Sequence, residues 1–124
     1  MYSIRTTYEL NARHALKKGS ELIEETHSHT FKLEVELSSE KLDETGCVVD
    51  FRDLDSRMTD ILGTYTNTDL QDHPRFAGTS PSAEMMAKVF FADINACIAD
   101  MPANLVRVTV WEDECHAGSY RGEG

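Results

Sequence analysis

The sequence predicts an α+β fold: an antiparallel sheet with two helices on one of its faces, in the order β-β-α-α-β-β. Two observations carry the strands. Apolar and polar residues alternate through positions 4–14 and again through 27–37, the two-residue period of a half-buried strand. A third observation carries the helices, because apolar residues recur at three- and four-residue spacing after Asp50 and after Ser80. Helices gathered on one face of an antiparallel sheet bury both apolar surfaces at once.

The first strand sets Ile4, Thr6, Tyr8, Leu10, Ala12 and His14 on one face and Arg5, Thr7, Glu9 and Arg13 on the other. The second sets His27, His29, Phe31, Leu33, Val35 and Leu37 on its apolar face, with Lys32, Glu34 and Glu36 turned to solvent. Joined by the segment 15–26, the two are expected to pair as a long antiparallel ribbon. Asp50 is expected to cap the first helix, whose stripe is Leu54, Met58, Ile61 and Leu62, and Gly63 to end it. A turn-rich stretch follows, "GTYTNTDLQDHPRFAGTS". The second helix is expected to open with Ser80 as N-cap, Pro81 at the first helical position and Glu84 in the first turn, where a negative charge suits the dipole. Its stripe is Met86, Phe90, Ile94, Cys97 and Met101, and Pro102 is expected to stop it. "NLVRVTVWE" reads as a third strand with Val106, Val108, Val110 and Glu112 on one face, and a short fourth is expected near Tyr120. Such a sheet has open edges, so self-association is expected.

A chain of 124 residues with 40% hydrophobic content is expected to form a single domain over 1–124. A formal net charge of -10 without a Lys/Arg cluster argues against nucleic acid and anionic membrane as partners. No run reaches the roughly 18 apolar residues of a membrane span, and "MYSIRTTYEL" lacks a signal peptide's apolar core, so a cytoplasmic location is expected. Cys47, Cys97 and Cys115 are odd in number and widely spaced, which indicates neither a disulfide framework nor a thiolate metal site.

The chemistry concentrates in "EETHSHT". His27 and His29 project from the same face of their strand, and an antiparallel ribbon returns that strand beside His14. Three imidazoles with one position open is a common catalytic zinc arrangement, although hydrogen-bonded or solvated strand-end histidines give the same pattern. Glu112 is a carboxylate in register with three valines. It either meets a ligand carrying paired N–H donors, such as a 2-amino-4-oxo pterin or a guanine, or lies at a solvated strand end.

Taken together, these residues resemble the 6-pyruvoyl-tetrahydropterin synthase and 6-carboxy-tetrahydropterin synthase family. The landmarks run in order along nearly the whole chain: "YELNARHAL" ending at His14, "HSH" at His27 and His29, "GCVVDF", "PSAE", and "VWE" at Glu112. The resemblance implies the tunnelling fold, in which trimers of the β-β-α-α-β-β unit close a barrel and pair into homohexamers. It implies zinc held by His14, His27 and His29 against the side-chain hydroxyls of a dihydroneopterin-type substrate. It also implies a pterin ring anchored by Glu112, with Ser82 and the neighbouring backbone at Ala83 assisting.

The chain also departs from the family pattern. The family's proton-abstracting cysteine lies just before its H-G-H, whereas "SELIEET" has none. Aligned without gaps, Thr66 and Asn67 stand where the family's L-D-H-x-x-L-N motif supplies an aspartate and a histidine; a shifted register would use Asp72 and His73 instead. A branch of the family carries E-x-x-H-G-H and cleaves the side chain to 6-hydroxymethyl-dihydropterin, and "EETHSH" places Glu24 at that glutamate. Glu24 is equally readable as one of several solvated loop glutamates. The expectation that follows is a divergent homologue of this family that keeps the pterin-binding pocket and lacks the usual catalytic triad; the alternatives are a non-catalytic binder of a pterin or purine-like ligand and a zinc-dependent lyase with Glu24 as base.

Overall fold

The computed structural model describes residues 1–122. Strands β1 (Tyr2–His14) and β4 (His27–Ser39) pair antiparallel along their whole length, from Tyr2 opposite Ser39 to His14 opposite His27. Between them the chain makes a small ribbon of β2 (Lys17–Lys18) and β3 (Glu21–Leu22), turned at Gly19 with φ 65°. β5 (Asn104–Trp111) pairs with β4, and β6 (Ala117–Arg121) with β5, giving the sheet order β1-β4-β5-β6.

The alternation read from the sequence decides which face is buried. Leu10, Phe31, Leu33, Val35, Leu37, Val108 and Val110 are fully covered. They meet Leu54, Met58 and Leu62 of α1 (Phe51–Gly63) and Met86, Phe90 and Ile94 of α2 (Ala83–Cys97) in one contiguous core. Asp50 caps α1 as expected, its carboxylate accepting the Arg52 N–H at 2.9 Å.

Three expectations are corrected. α2 starts after Ser82, whose hydroxyl accepts the Met85 N–H at 3.2 Å, so Ser80 and Pro81 lie outside the helix. Ser80 Oγ instead accepts the Lys17 N–H at 2.9 Å, which ties the exit of β1 to the segment entering α2. The helix also stops at Cys97, ahead of Pro102, because Ile98 turns out of helical geometry; Met101 packs on the core from beyond the helix. On β5, Glu36 pairs with Arg107 while Leu37 pairs with Leu105, so Val106 is the extra residue of a β-bulge. Leu105, and not Val106, therefore joins Val108 and Val110 inside, because one inserted residue exchanges the two faces of a strand.

The outer edge of β1 is covered near its C-terminal end. The Asn67 N–H donates to the Asn11 carbonyl at 2.7 Å, and the Arg13 N–H to the Thr68 carbonyl at 3.0 Å. Among the described residues no helix is long and apolar enough to cross a membrane.

β6 presses on the first turn of α2 at Gly118, where an added Cβ would lie 2.7 Å from the Glu84 nitrogen and 2.9 Å from the Ala83 carbonyl carbon. Both are backbone atoms and cannot rotate away. Gly118→Ala is expected to destabilise the protein by about 1–3 kcal/mol through overpacking. Urea denaturation would read this as a lower midpoint at unchanged slope, and an unchanged midpoint would show that α2 shifts freely at this end.

Candidate metal centre

The site forms where the β1–β4 ladder ends. His14 lies directly across from His27, and His29 is across from Ala12 on the same face, so the pleat brings three rings together. Ring centroids are 4.7 Å apart for His14 and His27, 5.2 Å for His14 and His29, and 4.6 Å for His27 and His29. One nitrogen of each ring lies within 4.8 Å of the others. Phe31, one step further along β4, packs against both His14 and His29 and gives the cluster an apolar floor.

Hydrogen bonds select the tautomers. His14 is 2% exposed, and its Nδ1 lies 2.8 Å from the carbonyl oxygen of Pro81. A carbonyl can only accept, so Nδ1 carries a hydrogen, and in the neutral ring Nε2 is left with the lone pair. His27 repeats the device, with Nδ1 donating to the Glu25 carbonyl at 3.1 Å. For His29, burial and then the neighbouring His14 and His27 lower the pKa below the ordinary imidazole value, outweighing the opposite pull of Glu112 and Asp113. The ring therefore favours its neutral form. Three convergent imidazoles, two of them oriented by backbone carbonyls, suit a borderline divalent cation such as zinc.

The other residues singled out from the sequence fall into two groups. Around the cluster, Glu112 sits just past β5 with its carboxylate 4.0 Å from His14 Nε2 and its side chain 30% exposed, at the rim of the cluster. Ser82 and Ala83 begin α2 directly after Pro81, the acceptor of His14. Glu24 Oε1 accepts the Leu16 N–H at 3.0 Å, bridging the exit of β1 to the approach of β4. The positions aligned with the family's Asp-His pair are occupied differently. The Thr66 hydroxyl donates to the Leu62 carbonyl at 2.9 Å, and Asn67 takes the left-handed φ of 60° with its backbone on β1. Asn67 shares a shallow cleft of about 320 Å³ with Asn11, Arg13, Ser28, His29 and Thr30. In the shifted register, His73 Nδ1 accepts the Arg75 N–H at 3.1 Å and the ring stacks on Tyr65 at 4.6 Å, while Asp72 is exposed. His73 is thus spent on holding the turn.

Sequence reasoning passed over Gln71, which is buried at 7% exposure and bonds to residues flanking both His14 and His27. In the sequence it is one glutamine inside a turn-rich stretch, with nothing to mark it as buried.

A four-stranded antiparallel sheet with two helices on one face and three convergent imidazoles at one strand end defines a class: a small α+β protein built around a metal-competent histidine triad. The sequence profile of 6-pyruvoyl tetrahydropterin synthase matches residues 3–123, and the chain belongs to that family. It is 30% identical over 104 residues to a provisionally named 6-carboxy-5,6,7,8-tetrahydropterin synthase of Archaeoglobus fulgidus, covering 84% of this chain and 82% of that one. Among solved structures it is similar to 6-pyruvoyl tetrahydropterin synthase of Caenorhabditis elegans, with a TM-score of 0.86 at 20% identity over 98% of this chain and 96% of the other. A Plasmodium vivax 6-pyruvoyltetrahydropterin synthase, solved as a mutant of a catalytic glutamate, gives a TM-score of 0.76 at 12% identity over 97% and 98%. At these identities the structural likeness speaks for the fold, the tunnelling-fold α+β class.

Proposed function

We propose that this chain cleaves the side chain of a dihydroneopterin-type pterin, with zinc held by His14, His27 and His29 and with Glu24 as the base. The observation carrying this reading is an imidazole triad already assembled with the Glu112 carboxylate 4.0 Å from His14 Nε2, and with Glu24 held on the Leu16 N–H, two residues past His14. Zinc bound there would supply Lewis acidity towards a side-chain oxygen. Glu112 would accept the two N–H groups on the 2-amino-4-oxo edge of the ring, a charge-assisted bidentate contact, with Ser82 and the Ala83 backbone beside it.

Glu24 would take the proton of the 2′-hydroxyl as the C1′–C2′ bond breaks, its electrons passing into the conjugated ring, and would return a proton at C1′. The products are 6-hydroxymethyl-dihydropterin and a two-carbon aldehyde. Atoms and electrons balance without an oxidant or reductant. One positioned base suffices for this cleavage, whereas a 6-pyruvoyl product requires protons to move at several ring and side-chain positions. Thr66 and Asn67 cannot carry those protons. The Plasmodium relative, described by its catalytic glutamate, supports a carboxylate in this role. As a family member the chain is further proposed to assemble as a homohexamer, a dimer of trimers, whose barrel closure would occupy the open edges of β1 and β6.

A second reading, a non-catalytic pterin or purine-like binder, is favoured by the engagement of Glu24 with the Leu16 N–H. Anaerobic incubation of zinc-reconstituted protein with dihydroneopterin and its triphosphate, followed by chromatography, separates the two. The lyase is expected to release 6-hydroxymethyl-dihydropterin in step with the aldehyde. Pterin recovered unchanged, with binding weakened by Glu112→Gln, would leave the binder; a 6-pyruvoyl or 6-carboxy product would overturn the single-base mechanism.

A further inference from the structure

We propose that Gln71 is a positioning residue that fixes the spacing of His14 and His27, an inference that rests on the triad being the zinc site. Gln71 belongs to the turn Leu70–Asp72, is 7% exposed, and has both ends of its amide engaged. Its Oε1 accepts the Ala15 N–H at 3.1 Å, and its Nε2 donates to Thr26 Oγ1 at 3.0 Å. Ala15 follows His14, and Thr26 precedes His27.

The β1–β4 ladder ends at the His14–His27 pair, and beyond it the chain departs into the excursion 15–26. The next rung, which would hold the two strand ends at ladder spacing, is thus made by one side chain inserted between them. The amide cannot be flipped, because its NH₂ would then oppose the Ala15 N–H, donor against donor. Its backbone is fixed too: Leu70 is fully buried, and Lys17 Nζ donates to the Gln71 carbonyl at 3.1 Å and to the Phe76 carbonyl at 3.2 Å. The imidazoles of His14 and His27 otherwise rely on one backbone carbonyl each, Pro81 and Glu25. Beyond Gln71 the strand ends are tied only further out, where the Leu16 N–H meets Glu24 and the Leu16 carbonyl accepts the Ile23 N–H; loss of the amide bridge therefore loosens the rung next to the two ligands, and metal affinity falls before the core is affected.

The test is zinc affinity by competition with a chromophoric chelator, together with the visible spectrum of the cobalt-substituted protein and the thermal midpoint of the metal-free form. Gln71→Met keeps the volume and removes both bonds; it is expected to weaken zinc binding about 10- to 100-fold, the range for outer-shell partners, and to change the cobalt spectrum. Gln71→Glu, whose carboxylate accepts from both the Ala15 N–H and the Thr26 hydroxyl, is expected to stay far closer to the parent. Thr26→Val removes one arm at the surface and should weaken binding by a smaller factor. In the Gln71→Met background it should add nothing, the signature of a shared interaction. Gln71→Met binding zinc within twofold of the parent would overturn the inference and leave the metal site standing. A parent that binds no zinc would overturn both. Should Gln71→Met fail to fold, Thr26→Val decides alone: weakened binding supports the bridge, and unchanged binding removes it.

Discussion

His29→Ala is expected to lower zinc affinity by more than about a hundredfold, beyond what loss of an outer-shell partner causes, while the metal-free protein keeps its stability. The contrast with His14→Ala makes the prediction specific. His29 lies at a partly open strand position, and among the described residues no carbonyl holds its ring, so its loss removes a ligand and little else. His14 is 2% exposed, packs on Phe31, and donates to the carbonyl of the buried Pro81. Removing it deletes the same kind of ligand but also strands that carbonyl, at a cost of about 1–3 kcal/mol before any cavity is counted. Isothermal titration with zinc and urea denaturation of the metal-free forms should therefore rank the variants differently: equal in lost affinity, unequal in lost stability. Zinc binding by His29→Ala at parental affinity would exclude the triad as the site.

The triad was legible because it depends on two simple periodicities. A strand repeats its face every second residue, and an antiparallel return sets the end of β1 beside the start of β4. The features that were not legible are those in which two local solutions compete and a distant contact chooses. Ser80 and Ser82 are both competent N-caps on either side of Pro81. The exit of β1 decides between them, because Lys17 takes the Ser80 hydroxyl and His14 takes the Pro81 carbonyl, leaving Ser82 to start the helix. The bulge at Val106 is invisible in "NLVRVTVWE" because Leu105 and Val106 are both apolar and either can join Val108 and Val110; the pairing with β4 selects Leu105. Glu112 illustrates a third limit. Its register with the valines suggested burial, the end of the strand suggested solvent, and the fold places it between the two, at the rim beside His14.

Glu24→Gln is expected to lower turnover of a dihydroneopterin-type substrate by roughly 10²- to 10⁴-fold, the usual contribution of a positioned general base. Zinc affinity should remain within about twofold, because Glu24 lies outside the ligand set and the replacement spares the carbonyl bonds that orient His14 and His27. The amide oxygen of glutamine can still accept the Leu16 N–H, so the bridge between the strand ends survives and only proton acceptance is lost. Glu112→Gln should behave differently. It replaces one of two acceptors on the pterin edge with a donor, which weakens ground state and transition state alike, so KM rises and kcat changes little. Steady-state kinetics on zinc-loaded variants would show the split. If Glu24→Gln turns over at the parental rate, the base lies elsewhere in the cluster and Glu24 is a structural bridge; if Glu112→Gln loses kcat instead, the carboxylate 4.0 Å from His14 is the group that moves the proton.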